Sequence, residues 1–217
     1  MTELDITRIL LVDDHPMMRR GLRDLLELEP DLEPVGEAGS GPDAIRLASE
    51  LEPDLILLDL NMPGMDGLET LKRLRDDEVD ARIIMFTVSD DQSHVLEALR
   101  NGADGYLLKD MDAEHLVAQI RQAAQGKLAL SPELTMVLAE AIRERPKTST
   151  QVQASSLTKR EKDVLRWIAK GQSNKMIARK LDITEGTVKV HVKRLLNKLG
   201  MRSRTEAAVW VVENQLL

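Results

Sequence analysis

Over the first 125 residues, short apolar runs alternate five times with helix-patterned segments, and that alternation leaves very few architectures open. Strand candidates fall at 8–13, 34–38, 54–59, 82–87 and 104–108. Runs such as Ile9-Leu10-Leu11-Val12 and Leu55-Ile56-Leu57-Leu58 are apolar throughout, the pattern of strands buried on both faces of a parallel sheet. Helix candidates fall near 15–28, 41–51, 66–77, 91–101 and 112–125. Asp66-x-x-Glu69 has the form of a capping box, Asp112 precedes an amphipathic stretch, and Gly102 and Gly126 stand where helices should end. The expected fold of residues 1–128 is α/β, a (βα)5 doubly wound parallel sheet.

Beyond it the pattern changes. Ser131-Pro132-Glu133 opens a further helix running to about Arg145, and 146–156 (PKTSTQVQASS) is polar and aperiodic. Residues 129–156 are therefore expected to be a connecting helix and flexible linker. From Leu157 to Leu217 every segment is helical. Thr158-x-x-Glu161 starts the first helix, which ends near Gly171. Ser173 starts a short second one ending around Leu181. A third spans 185–199 and stops at Gly200, and Ser203-x-x-Glu206 starts the last, 204–215. Two short helices joined by a tight turn, the second basic, describe a helix-turn-helix inside an all-α domain.

Charge divides the chain at the same place. Residues 1–145 hold 15 Lys/Arg against 31 Asp/Glu (−16), and 146–217 hold 15 against 6 (+9), within a net charge of −7. A small basic module on an acidic one suggests that only the second part meets a polyanion. The absence of cysteine excludes disulfides and thiolate metal sites. With no signal-peptide or membrane-length apolar segment, the expectation is a soluble, cytoplasmic protein that does not engage membranes.

In an open parallel sheet, ligand chemistry collects at the carboxyl ends of the strands. Here those ends carry Asp13-Asp14, Asp59, Thr87 and Lys109. Three carboxylates form a hard-oxygen cluster suited to Mg2+, which takes one or two carboxylates, waters and a phosphate. Lys109 can keep the crowded carboxylates ionised, and Thr87 can donate to a phosphoryl oxygen. Single strand-end aspartates often only cap helices, but five such groups together exceed what capping requires. The histidines at 15, 94, 115 and 191 are scattered without ligand spacing, so neither a zinc site nor a catalytic triad is expected.

Leu55 to Gly67 (LILLDLNMPGMDG), with Asp13-Asp14, Thr87 and Gly102 to Lys109 (GADGYLLK), resembles the receiver domain of two-component response regulators over about residues 7–125. The resemblance implies that Asp59 accepts a phosphoryl group from a sensor histidine kinase. It also implies that Asp13, Asp14, Asp59 and the backbone carbonyl of Asn61 hold Mg2+, that Thr87 and Lys109 engage the phosphate, and that Tyr106 is an aromatic switch. Many receivers follow the lysine with a cis-proline. Here Asp110 follows, and a cis bond to a non-proline costs about 2.5–4 kcal/mol, so none is expected.

Two rivals share parts of this pattern. Haloacid-dehalogenase-type phosphatases, which hydrolyse an aspartyl phosphate with Mg2+, place a second aspartate two residues after the nucleophile as general acid. This chain has Asn61 there, which cannot protonate a leaving group. The chain is thus expected to be a phosphoryl acceptor with at most slow self-dephosphorylation. Gly39-Ser40-Gly41-Pro42-Asp43-Ala44 has the outline of a dinucleotide fingerprint, but Asp43 puts negative charge where a pyrophosphate would sit.

On helix 185–199, about 100° per residue gathers Val188, Val192, Leu195 and Leu199 on one face and leaves Lys189, Val190, Lys193 and Asn197 on another. That second stripe offers donors to phosphates or guanine edges and one apolar contact to a thymine methyl. Residues 157–217 resemble the LuxR-type four-helix DNA-binding domain, notably in Ser173-Asn174-Lys175-x-Ile177-Ala178 and Thr187-Val188-Lys189-x-His191. Joined to a receiver, this is the NarL/FixJ class of response regulators. NKMIARKLDITEGTVKVHVK and EAAVWV are most similar to its nitrate/nitrite-responsive members, which implies that signal. The resemblance implies that Lys189, Val190 and Lys193 read bases, that Asn174, Lys175 and Arg179 contact the backbone, and that a homodimer binds double-stranded promoter DNA. It further implies a silent state in which the recognition helix packs on the receiver. The competing reading is a scaffold that binds DNA constitutively.

Overall fold

The structure is a computed structural model that describes residues 6–125, 129–130 and 157–213. Strands β1 (Thr7–Val12), β2 (Leu32–Ala38), β3 (Leu55–Leu58), β4 (Arg82–Thr87), β5 (Gly105–Leu108) and β6 (Ala129–Leu130) form one all-parallel sheet in the order β2-β1-β3-β4-β5-β6. Helices α1 (Pro16–Glu27), α2 (Gly41–Leu51), α3 (Gly67–Asp76), α4 (Gln92–Arg100) and α5 (Ala113–Ala124) connect the first five strands and follow the last of them. The sequence pattern locates these ten elements to within two residues. β6 is an addition, since two residues are too few to register as a period. The predicted helix from Ser131 to Arg145 and the linker lie outside the described residues.

Side chains alternate faces along each strand, so every apolar run splits between two cores. Leu10, Val12, Ile56, Leu58, Ile83, Met85 and Tyr106 pack on one face with α2, α3 and α4. Ile9, Leu11, Leu55, Leu57, Ile84, Phe86 and Leu107 pack on the other with α1 and α5. The strand order reverses direction between β1 and β3, the topological switch point at which a doubly wound sheet opens a crevice.

The C-terminal helices are α6 (Lys159–Ala169), α7 (Asn174–Leu181), α8 (Glu185–Leu199) and α9 (Arg204–Glu213). Thr158 and Glu161 complete a reciprocal capping box on α6. Ser173 and Thr184 cap α7 and α8 through Met176 N and Thr187 N. Val188, Val192, Leu195 and Leu199 of α8 are buried with Val164, Ile168 and Ile177, as the helical periodicity predicts. Among the described residues no helix is long and apolar enough to cross a membrane.

Candidate functional site

The rim of the sheet at the switch point brings together the five groups found at strand ends. Asp13 and Asp59 are buried, Thr87 is wholly so, and Asp14 is partly exposed. Lys109 Nζ lies 2.6 Å from Asp13 Oδ2 and 3.0 Å from Asp59 Oδ2. Asp13 Oδ1 accepts the His15 backbone N–H at 2.8 Å, which fixes the carboxylate as the chain turns into α1. Thr87 Oγ1 accepts from Ser89 N at 3.3 Å and from Asn61 Nδ2 at 3.5 Å, which leaves its own proton available for donation.

Burial pushes the Asp59 carboxyl above its ordinary range; Lys109 opposes that shift and Asp13 adds to it. Asp59 Oδ1 is buried without a hydrogen-bond donor among the described residues. A buried carboxylate oxygen left so is costly unless a cation or a donor reaches it. Asp13, Asp14, His15 and Asp59 each offer a ligand atom within 4.8 Å of one another, so the donor set and the orphaned oxygen both fit a hard divalent cation. His15, which the sequence spacing left without a ligand role, has its Nδ1 2.7 Å from Asp14 Oδ1. No spacing rule would find it, because it reaches the cluster through the turn after β1.

Gly67 makes this geometry possible. A Cβ at that position would stand 2.2 Å from the Asp59 carbonyl oxygen, and only glycine lets the start of α3 lie so close to the strand end. Tyr106 is fully buried, with its hydroxyl donating to Ser89 O at 2.9 Å, and burial pushes its pKa up to about 12. No peptide bond among the described residues is cis, Lys109–Asp110 included.

At the opposite end of the sheet the receiver meets the helical domain. Asp104, at the start of β5, accepts from Arg75 Nη2 at 2.6 Å and Ile83 N at 3.1 Å through Oδ2, and from Thr205 Oγ1 at 2.7 Å through Oδ1. Asn174 Nδ2 donates to Asp80 Oδ2 at 2.7 Å, and Arg204 Nη1 donates to Asn174 Oδ1 at 3.1 Å. Burial raises the Asp80 carboxyl, with Arg204 opposing, and lowers the Arg82 guanidinium to about 9. Gly102, at φ +97°, approaches the Arg202 backbone so closely that a Cβ would lie 3.0 Å from Arg202 Cβ.

The recognition stripe is engaged by the same edge. Lys193 pairs with Glu78, Asn197 Nδ2 donates to Glu78 Oε1 at 3.4 Å, and Lys189 Nζ lies 3.7 Å from Glu52. Val190 is exposed on α8. Lys175 and Arg179 lie on α7, half-buried and exposed respectively, whereas Asn174 is buried in the seam. Arg204 is buried and donates to Asn174 Oδ1 and to Gln172 O.

A doubly wound sheet with an acidic switch-point pocket, joined to a four-helix basic module, defines a class of two-domain switch proteins. Residues 9–121 match the response regulator receiver domain and residues 155–211 match the LuxR family of bacterial regulatory proteins. The chain belongs to the response regulators that join these two domains. It is 52% identical over 216 residues to the nitrate/nitrite response regulator protein NarL of Escherichia coli (strain K12), covering both chains in full. It is 50% identical over 216 residues to NarP of the same organism, covering 99% of each. Among solved structures, a LuxR-family response regulator from Aurantimonas sp. SI85-9A1 matches with TM-score 0.59 and 38% identity, covering 64% of this chain and 99% of that one.

Proposed function

We propose that this chain is a cytoplasmic transcriptional regulator, gated by phosphorylation of Asp59 and responsive to nitrate or nitrite. The observation that carries the gating is that the receiver's acidic edge holds Lys189, Lys193 and Asn174, three of the six residues proposed to contact DNA. A chain folded this way presents those side chains already paired with receiver carboxylates, which supports a silent state held by the domain contact. The signal rests on likeness to NarL and NarP, named as nitrate/nitrite response regulators.

A carboxylate oxygen of Asp59 attacks the phosphorus carried on a histidine of the sensor kinase. The P–N bond breaks and the imidazole nitrogen keeps the electron pair. Lys109, already paired with Asp59, holds the acceptor oriented and then meets a phosphoryl oxygen, while Thr87 donates its hydroxyl proton to another. Asp13, Asp14, Asp59 and the Asn61 carbonyl would hold Mg2+, which would supply charge neutralisation. Asn61 offers no acid for a leaving group, which favours a persistent mark over rapid hydrolysis.

Phosphorylation adds about −1.5 to −2 charge. Reversing a 1:99 equilibrium to 99:1 takes about 5.5 kcal/mol of differential binding. Two or three charge-assisted contacts of about 1.5–3 kcal/mol each are enough if they form in one state only. Release of the seam then lets a homodimer bind promoter DNA through α8, with Lys189, Val190 and Lys193 at base edges and Asn174, Lys175 and Arg179 at the backbone.

The test uses a small phosphodonor and a promoter duplex. Asp59→Asn should take up no phosphate, and normal labelling of that variant would remove the site assignment. Lys189→Ala should label normally and lose specific DNA binding. A constitutive scaffold would instead bind the duplex equally with and without phosphodonor.

A further inference from the structure

Among the described residues, three non-glycine positions take left-handed backbone: Glu52 (φ 44°), Glu78 (φ 57°) and Asp182 (φ 52°). Asp182 caps α7 in the helix-turn-helix turn. The other two belong to the receiver, and they are the residues that grip the recognition helix, Glu52 on Lys189 and Glu78 on Lys193 and Asn197. Glycine is the residue such positions favour, because a side chain there is sterically penalised. Two glutamates occupy seats where their side chains weaken local structure, and both direct a carboxylate at a DNA-reading group.

The chemistry of those contacts matches that of a nucleic acid. A carboxylate on Lys189, another shared by Lys193 and Asn197 one turn on, and Asp80 on Asn174 put anionic oxygens on donors that a duplex would otherwise engage, through base edges in an operator and through phosphates in any sequence. The glutamate pairs are solvent-exposed, with Lys193 at 55% and Glu52 at 75% side-chain exposure, so they are screened by salt and open to exchange. By contrast, the Asp104–Thr205 and Asp80–Asn174–Arg204 bonds behind them are largely buried.

We propose that Glu52 and Glu78 form an internal phosphate mimic that any duplex backbone, operator or not, displaces from α8, so that DNA already bound non-specifically makes the receiver a better phosphoryl acceptor. The proposal rests on the gating reading and extends it. Gating alone requires only that operator binding and phosphorylation favour one another. The mimic adds that sequence-independent contact is enough, and that two named carboxylates are where the competition occurs. Coupling between two ligands is reciprocal, so a duplex that favours the open chain must raise the affinity of Asp59 for a phosphoryl analogue by the factor that the analogue raises duplex binding. A regulator held loosely along the chromosome would then be the preferred target of its kinase.

The experiment titrates beryllofluoride with Mg2+ into the full chain by calorimetry, with and without saturating non-operator duplex DNA. It is repeated on the double variant Glu52→Gln/Glu78→Gln, whose substituted side chains are exposed and leave the cores intact. In the native chain the duplex should lower the beryllofluoride midpoint by about fivefold or more, the lower end of common couplings. The double variant should start with a lowered midpoint and gain less from DNA. The proposal is overturned if non-operator duplex leaves the native midpoint unchanged while beryllofluoride still raises operator affinity, an outcome that keeps the gating reading. It is equally overturned if the double variant gains as much as the native chain. If beryllofluoride alters operator affinity in neither chain, the gating reading falls and takes the mimic with it.

Discussion

Replacing Thr205 with valine isolates one bond of the domain seam. Valine keeps the branched shape and removes only the hydroxyl that donates to Asp104 Oδ1 at 2.7 Å. Asp104 is 2% exposed, and its other oxygen is committed to Arg75 and Ile83 N, so Oδ1 is left without its donor in the closed arrangement. Once the domains part, water serves Asp104 and residue 205 whichever side chain stands there, so the loss falls on one state. A hydrogen bond to a charged group contributes about 1.5–3 kcal/mol, and each 1.4 kcal/mol is tenfold. The open-to-closed ratio should therefore rise roughly ten- to hundredfold. Where the open form is rare, apparent affinity scales with its population, so DNA binding by the unphosphorylated variant should tighten by a similar factor. Fluorescence anisotropy on a promoter duplex measures this, run on both chains before and after beryllofluoride. After activation the two should bind alike, because the bond is already broken. If the unphosphorylated variant melts like the native chain and binds the duplex no more tightly, the bond does not hold the seam and the reasoning fails.

Thr87→Ala should still accept phosphate on Asp59, but the gain in DNA affinity on phosphorylation should shrink by about tenfold or more, from the loss of one charge-assisted contact. Retention of the full gain would show that the hydroxyl plays no part in coupling. Glu161→Gln should lower the melting temperature of the helical domain at neutral pH. Burial opposes ionisation of Glu161, but Lys198 Nζ at 2.7 Å and the Thr158 N–H at 2.7 Å outweigh it and hold the carboxyl below its usual range. A depressed folded-state value gives stability that is present above the unfolded value and lost as pH falls through the folded one, so the difference between native chain and variant should vanish in acid. Chelation of divalent cations should abolish labelling of Asp59 by a small phosphodonor without unfolding the sheet, and undiminished labelling in chelator would remove the cation from the reaction.

The sheet was readable because buried parallel strands need runs such as Leu55–Leu58, and the caps Asp66 and Asp112 mark helix starts by local chemistry alone. The convergence of Asp13, Asp59, Thr87 and Lys109 followed from the rule that parallel strands end on one side. The seam was not readable in the same way. Its partners Asp80–Asn174 and Asp104–Thr205 are about a hundred residues apart and sit on turns and helix starts without periodicity. Arg204 belongs to it too, and no local signal announces that an arginine will be buried against partners some thirty residues away. The left-handed backbone of Glu52 and Glu78 was hidden for the opposite reason, because a glutamate at a helix end gives no hint of φ when glycine is the expected residue.

β5 carries Lys109 just past one end and Asp104 just before the other, five residues apart, which is about 17 Å at the usual strand rise. The residues between them are buried or nearly so, with Tyr106 and Leu107 packed into opposite cores, and protein interiors are close-packed and barely compressible. Input and output are thus two ends of one short rigid bar, and a shift at the lysine has little room to dissipate before it reaches the aspartate. Any regulator assembled by grafting a new output onto this receiver would need to dock at the Asp104 end of that bar to inherit the signal.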